Sequence, residues 1–311
     1  MRVAIVGAGH VGATTAYSLM LRGLFREIVL IDSDHALAEA EAADLADANA
    51  LMRPVRIWAG GYSAAHEAEI AILTAGAATS GNQSRLTIGR ENAGVVAECA
   101  AKLADTGFAG TLVVATNPVD IMSLVAYRHA HLPAHRIIGT GTLLDSSRLQ
   151  QALSARLGIA ARAVDGFALG EHGDSQVMAC STIRIGGMTL EQFGIAGCDQ
   201  FRNDLAANVR TAAYEIITGK GYTSFGIAAA VLRICEALLR DEDDILPVSV
   251  LLNGEFGLTG IFMSLPCILG SGGVERILTP ELSHAERCDL IDSAGKIRDA
   301  VSALDAAWSI G

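Results

Sequence analysis

The sequence predicts a doubly wound parallel α/β sheet followed by an α+β lobe with antiparallel strands. Three observations predict it. Apolar, strand-like runs alternate with helical patterns over residues 2–139. That alternation marks βα units stacked into a parallel sheet covered on both faces. The first run leads directly through Gly7-Ala8-Gly9-His10-Val11-Gly12 into a helical pattern. Beyond about residue 140 the pattern changes to short strands, long helices and two longer apolar runs. The expected domains are therefore 1–141 and 142–311.

Composition bounds what the chain can be. Half of it is apolar (51%), so a large packed core is expected and a disordered tail is not. No run reaches about 18 uncharged apolar residues, the length a membrane span needs. The first residues enter a strand pattern and carry no signal-peptide core. A net charge of −11 argues against nucleic acid, which is bound through basic patches. Cys99, Cys180, Cys198, Cys235, Cys267 and Cys288 are scattered, without a CxxC pair. Neither a metal centre nor a disulfide framework is expected, and a reducing cytoplasm fits best.

Each element follows in order. Residues 2–6 form a short buried strand, and 13–22 the helix after it. Between them, Gly7 permits a tight turn, Gly9 lets a pyrophosphate approach the backbone, and Gly12 lets helix pack on strand. The helix N-terminus offers N–H groups and the positive end of its dipole to phosphates. The strand 27–31 ends in Asp32, 20 residues past Gly12. A carboxylate there accepts hydrogen bonds from ribose hydroxyls and repels a 2′-phosphate, so NAD is favoured over NADP in a Rossmann-type domain.

A helix over 35–50, a short strand over 53–58 and a strand over 70–74 come next. The strand ends at Ala75-Gly76-Ala77. The small polar loop from Ala78 to Arg85 is a candidate lid. A helix over 86–104 precedes a strand over 111–116, which Asn117-Pro118 stops. Pro118 suits the first turn of a helix over 119–130. A strand over 136–139 and Gly139-Thr140-Gly141-Thr142 lead into a helix over 143–157. Asp145 and Arg148, three residues apart, share one face of that helix.

Short strands are expected over 163–169, 177–179 and 181–185, and a long helix over 198–218. A glycine-rich break spans 219–226, and a helix covers 227–240. An antiparallel pair over 245–251 and 260–269 and a final helix over 280–308 complete the chain. Within this half lies Gly170-Glu171-His172-Gly173-Asp174-Ser175. Its glycine-flanked histidine can face a cleft, and histidine exchanges protons near neutral pH.

The order of these pieces resembles the L-lactate/L-malate dehydrogenase family over nearly the whole chain. The matching motifs are Gly7-x-Gly9-x-x-Gly12, Asp32, Thr74-Ala75-Gly76-Ala77, Arg85, Asn117-Pro118-Val119-Asp120, Leu144-Asp145-x-x-Arg148, Gly170-Glu171-His172-Gly173-Asp174 and Thr223-Ser224-Phe225-Gly226. The resemblance implies an NAD-dependent L-2-hydroxy acid dehydrogenase, with pyruvate and L-lactate the first expected pair. His172 is then the proton donor and acceptor, and Asp145 holds its other ring nitrogen. Arg148 grips the substrate carboxylate with its planar fork. Arg85 closes over the substrate and polarises its carbonyl. Asn117, Thr79 and Thr223 contact the substrate. Cofactor contacts fall to Gly7, Gly9, Val11, Gly12, Asp32, Gly76, Ala77, Thr116, Asn117 and Thr140. The resemblance also implies a cytoplasmic homodimer or homotetramer in glycolytic metabolism.

Departures from the family pattern sharpen these expectations. At Thr79 the malate enzymes carry an arginine and the lactate enzymes a glutamine. A dicarboxylate would enter such a site unpaired. Thr79, Ser80 and the small loop leave room for a bulkier side chain, and the 220–224 segment with Gly139-Thr140-Gly141-Thr142 resembles branched-chain 2-hydroxy acid dehydrogenases, so bulkier 2-oxo acids are expected as well. A malate dehydrogenase or an L-2-hydroxyisocaproate-type enzyme remains the alternative. Gln150 and Asp165 stand where family members bind fructose bisphosphate with an arginine and a histidine, so no activation by that anion is expected. NAD-dependent glycosidases share the dinucleotide fold but need a Cys/His metal cluster, which this sequence does not offer. A protein that holds NAD without turnover is disfavoured by the intact Arg85, Asp145, Arg148 and His172.

Overall fold

The computed structural model describes residues 1–52, 54–77, 85–195, 205, 207, 211 and 215–308. The chain forms two compact units. The first comprises Met1–Thr140, Ser224–Asp244 and Leu269–Glu275, and the second Gly141–Thr223, Ile245–Ile268 and Arg276–Gly311.

In the first unit, strands β1 (Arg2–Val6), β2 (Glu27–Ile31), β3 (Arg56–Ala59), β4 (Ile70–Leu73), β5 (Thr111–Val114) and β6 (Ile137–Gly139) lie parallel. Their order is β6-β5-β4-β1-β2-β3. Winding therefore reverses between β1 and β4, where Val6 pairs with Ile31 on one side and Leu73 on the other. Val3, Ile5, Ile28, Leu30, Ile70, Ile72 and Leu112 are fully or almost fully buried. Strands covered on both faces need such continuous apolar runs.

Helices α1 (His10–Arg22), α2 (His35–Asn49), α3 (Arg85–Asp105) and α4 (Val119–His129) connect the strands. The Asp34 side chain caps α2 by accepting the Leu37 N–H at 3.1 Å. Gly23, at φ 63°, ends α1 with its N–H shared by Leu19 and Met20 carbonyls. The helix Phe225–Arg240 packs along α1, burying Ala228, Val231, Ile234 and Cys235. Arg22 of α1 pairs with its buried Glu236. That packing is why a late segment of the chain belongs to the first unit.

The second unit contains α5 (Leu143–Leu157) and three small sets of strands. Strands β7 (Val164–Asp165), β10 (Arg184–Ile185) and β11 (Met188–Thr189) form one sheet, and β8 (Ala168–Leu169) pairs antiparallel with β9 (Val177–Met178). Strands β12 (Asp244–Asn253) and β13 (Thr259–Gly270) are neighbours. The connection between them is too short for a parallel crossover. Leu149 and Leu153 of α5 pack with Ala168, Met178, Ile183 and Ile185.

Several local expectations need correction. Residues 215–220 are helical, so the break expected from Gly219 begins instead at Gly221, whose φ of 87° stops the helix. Most of 198–214 lies outside the described residues. The strand expected over 163–169 is split into β7 and β8, which join different sheets, and the one expected over 181–185 is shortened by a 3-10 turn at Cys180–Thr182. The last helix starts at His284 rather than residue 280. Ser283 and Glu286 fix that start reciprocally: Ser283 N–H donates to Glu286 Oε2 at 2.8 Å, and Glu286 N–H to Ser283 Oγ at 3.3 Å. A further strand, β14 (Gly273–Ile277), follows β13 and carries too little apolar pattern to be read from sequence. Among the described residues, no helix is long and apolar enough to cross a membrane.

Candidate active site

The glycine loop has a different physical reason at each glycine. Gly7 sits at φ 106°, and a Cβ there would lie 2.5 Å from the Ala75 nitrogen. A Cβ on Gly12 would lie 1.9 Å from the Gly7 carbonyl oxygen. Beside Gly9, by contrast, there is open space. Gly9 also caps α1 without any side-chain cap hydrogen bond. The loop thus closes tightly on itself while leaving room over the helix N-terminus for an anion.

Asp32, at the end of β2, accepts the Ala8 N–H at 2.6 Å and the Asp34 N–H at 2.9 Å. These bonds hold the carboxylate against the glycine loop. Thr74 Oγ1 donates to the Gly7 carbonyl at 2.8 Å, and Thr116 Oγ1 to the Ala75 carbonyl at 2.7 Å. Gly76 and Ala77 follow β4, Thr116 and Asn117 follow β5, and Thr140 follows β6. The expected cofactor residues of this unit therefore stand at the C-terminal ends of the parallel strands, the edge where such sheets bind ligands. Thr116 and Thr140 are buried, whereas Gly9, Gly76, Ala77 and Asn117 are exposed. The open space at Gly9, the helix N-terminus and the fixed carboxylate suit a dinucleotide. Arg85 opens α3, and Thr79 lies outside the described residues.

The second unit brings together Asp145, Arg148 and His172. Asp145 lies in the first turn of α5, where the helix dipole favours an anion. Its Oδ2 lies 2.6 Å from His172 Nδ1, and its Oδ1 accepts from Arg148 Nη1 at 3.0 Å. The carboxylate is 3% exposed, with His172 at 24% and Arg148 at 16%, so one buried anion orients two partly open groups. Burial alone would push the Asp145 carboxyl up. The facing His172 and Arg148 outweigh it and hold the carboxyl below its usual value. An ionised Asp145 can only accept, so Nδ1 carries the hydrogen of this bond. The other ring nitrogen, Nε2, is the one that does not face Asp145.

Four buried serines and threonines hold this arrangement, and none was among the site residues expected from sequence. Thr142 N–H donates to Ser264 Oγ at 3.1 Å, and Thr142 Oγ1 to the Ala168 carbonyl at 2.5 Å. Ser146 Oγ accepts the Ala168 N–H at 2.9 Å. The start of α5 is thereby tied to β8, which leads into the histidine loop. Gly170, at φ 90°, bridges to Ser264 through backbone bonds of 3.0 and 3.1 Å. Glu171 N–H donates to Ser293 Oγ at 2.9 Å, and Ser175 Oγ lies 3.2 Å from the same hydroxyl. The one available signal was a lone small polar residue inside an apolar run, as in Phe262-Met263-Ser264-Leu265. Thr223, half-buried, ends one segment of this unit.

Both halves of the chain match domains of one known family. Residues 1–139 match the lactate/malate dehydrogenase NAD binding domain, and residues 142–306 the lactate/malate dehydrogenase alpha/beta C-terminal domain. The chain is 40% identical over 297 residues to an L-lactate dehydrogenase of Clostridium perfringens, covering 94% of each chain. It is 37% identical over 305 residues to one of Clostridium botulinum, covering 97% of this chain and 96% of that one. Its structure is similar to the ligand-bound minor L-lactate dehydrogenase of Enterococcus mundtii, with TM-score 0.93, 37% identity and 97% of each chain covered. With both halves matched in order and relatives this close over nearly its full length, the chain belongs to the lactate/malate dehydrogenase family and is an NAD-dependent oxidoreductase.

Proposed function

We propose that this protein interconverts pyruvate and L-lactate with NAD, accepts bulkier apolar 2-oxo acids, and disfavours oxaloacetate. The observation that carries this reading is the His172–Asp145–Arg148 chain, in which one buried carboxylate orients both a proton donor and a carboxylate receptor. NADH, when bound, supplies the hydride that becomes the new C–H at C2 of the product. His172 delivers the proton to the carbonyl oxygen from Nε2, completing pyruvate + NADH + H⁺ → L-lactate + NAD⁺. Asp145 keeps the ring turned and stabilises its protonated form. Arg148 holds the substrate carboxylate through its two-pronged guanidinium. Asn117 contacts the substrate oxygen, Arg85 closes over it, and Thr223 lies against the carboxylate and side chain. Asp32 selects NADH over NADPH by meeting the ribose hydroxyls. Gly7, Gly9, Val11, Gly12, Gly76, Ala77, Thr116, Asn117 and Thr140 line the cofactor site.

Substrate choice rests on Thr79. With no arginine there, the second carboxylate of oxaloacetate enters without a countercharge, at a cost of several kcal/mol. Fructose bisphosphate does not activate the enzyme, because Gln150 and Asp165 are poor anion ligands. Asp165 moreover sits opposite Arg184 in the β7–β10 pair, which supplies the local cation with an acid neighbour. The enzyme works as a cytoplasmic homodimer or homotetramer, with residues 1–141 as its NAD-binding domain and 142–311 as the catalytic domain.

The test is NADH oxidation with pyruvate, 2-oxoisocaproate and oxaloacetate, for wild type and Thr79→Arg. Pyruvate or 2-oxoisocaproate should exceed oxaloacetate by roughly 100-fold in kcat/KM, since each 1.4 kcal/mol is about tenfold. Thr79→Arg should narrow or reverse that ratio. A wild-type preference for oxaloacetate makes this a malate enzyme, and a preference for 2-oxoisocaproate over pyruvate makes it a branched-chain one. Ratios unmoved by Thr79→Arg would remove position 79 as the selector.

A further inference from the structure

Asn92 is a buried polar side chain of the first unit that joins two segments of the cofactor edge. It lies on α3, 3% exposed, seven residues after Arg85. Seven residues are about two helical turns, so Asn92 sits on the stem of the helix that Arg85 opens. Its Oδ1 accepts the Ala77 N–H at 2.7 Å. Its Nδ2 donates to the Asn117 carbonyl at 2.7 Å. An N–H requires an acceptor and a carbonyl requires a donor, so the partners fix the orientation of the amide. Both partners belong to exposed residues, and the side chain clasps them from beneath. The fit is close: a Cβ on Gly76 would lie 3.0 Å from Asn92 Oδ1 and 2.9 Å from Thr116 Cγ2.

We propose that Asn92 is a positioning residue for the reaction, locking Asn117 and the turn after β4 to the stem of α3. This rests on the dehydrogenase reading above. A carboxamide is the only common side chain of this length that offers one acceptor and one donor side by side. Leucine would remove both hydrogen bonds at once. Aspartate keeps the acceptor for Ala77 but, when ionised, sets an oxygen against the Asn117 carbonyl. When protonated, it can donate there again. The clasp therefore splits into two halves that substitution can separate. Loss of the Asn117 half should affect turnover, and retention of the Ala77 half should preserve NADH binding.

The experiment uses the best 2-oxo acid of the wild-type panel, so an inactive wild type counts against the dehydrogenase reading and not against Asn92. For Asn92→Asp, kcat and the NADH dissociation constant are measured from pH 5.5 to 9, beside wild type. The ratio of variant to wild-type kcat should fall as pH rises, by on the order of 30-fold, the scale of a small misplacement of reacting groups. The NADH dissociation constant should stay within about threefold, because the acceptor for Ala77 remains. A kcat ratio that stays flat across this range overturns the proposal, whether it lies near one or follows a lower folded fraction measured by circular dichroism. Asn92→Gln serves as the second variant, because it keeps donor and acceptor but displaces them by one methylene. It should fold and lose at least about tenfold in kcat. Wild-type kcat in Asn92→Gln overturns the proposal as well.

Discussion

The Asp145 carboxylate, buried at the start of α5, meets the Nδ1 of His172 at 2.6 Å across 27 residues of sequence. The same carboxylate holds Arg148 at 3.0 Å. Asp145→Asn should therefore disturb both proton transfer and substrate binding. Without the anion the protonated imidazole is less stable, so the alkaline limb of pyruvate reduction should move to lower pH. A profile identical to wild type would remove Asp145 from control of the histidine.

The same pair has a consequence for acid stability. His172 and Arg148 hold the folded Asp145 carboxyl below the usual carboxylate range. A depressed folded value contributes stability that is present above the unfolded value and is lost as pH falls through the folded one. Acid unfolding below about pH 4 should thus be less steep in Asp145→Asn than in wild type. Urea midpoints measured between pH 3 and 7 check this, and parallel curves would contradict it.

His172→Asn should leave folding and NADH binding intact while lowering turnover by at least about 100-fold, the usual weight of a positioned acid–base group. Steady-state rates beside NADH fluorescence titration separate the two effects. Activity within a few-fold of wild type would take His172 out of the mechanism.

Arg148→Lys should raise KM strongly for every 2-oxo acid tested, because an ammonium cannot reproduce a planar fork. It also loses the geometry of the bond to Asp145. Unchanged KM values would place the substrate carboxylate elsewhere.

Gly170→Ala should destabilise the histidine loop. At φ 90° an L-residue is strained, and the new Cβ would lie 2.8 Å from Ser293 Oγ. The cost should be about 1–3 kcal/mol, read as a lowered urea midpoint. Ser293→Ala in the same background relieves the contact but not the strain, so it should restore only part of the loss. Full wild-type stability in Gly170→Ala would mean that the loop adapts freely.

Local pattern carried most of the first unit. Its strands are continuous apolar runs because both faces are covered, and the glycine loop stands where strand meets helix, so Gly7, Gly12 and Asp32 were legible from spacing alone. Asp145 and Arg148 share a helix face by periodicity, and His172 stood out between glycines. The bonds that orient them were not legible. Asn92 reaches Asn117 across 25 residues, and Thr142 meets Ser264, like Glu171 meets Ser293, across 122. A lone serine or asparagine in an apolar run has no local partner to announce it. Its hydrogen bond becomes necessary only when folding buries it beside a distant backbone group. The helix Phe225–Arg240 follows the same rule: periodicity marks it as a helix, but the apolar face of α1 and the buried Glu236 decide that it packs with the first unit.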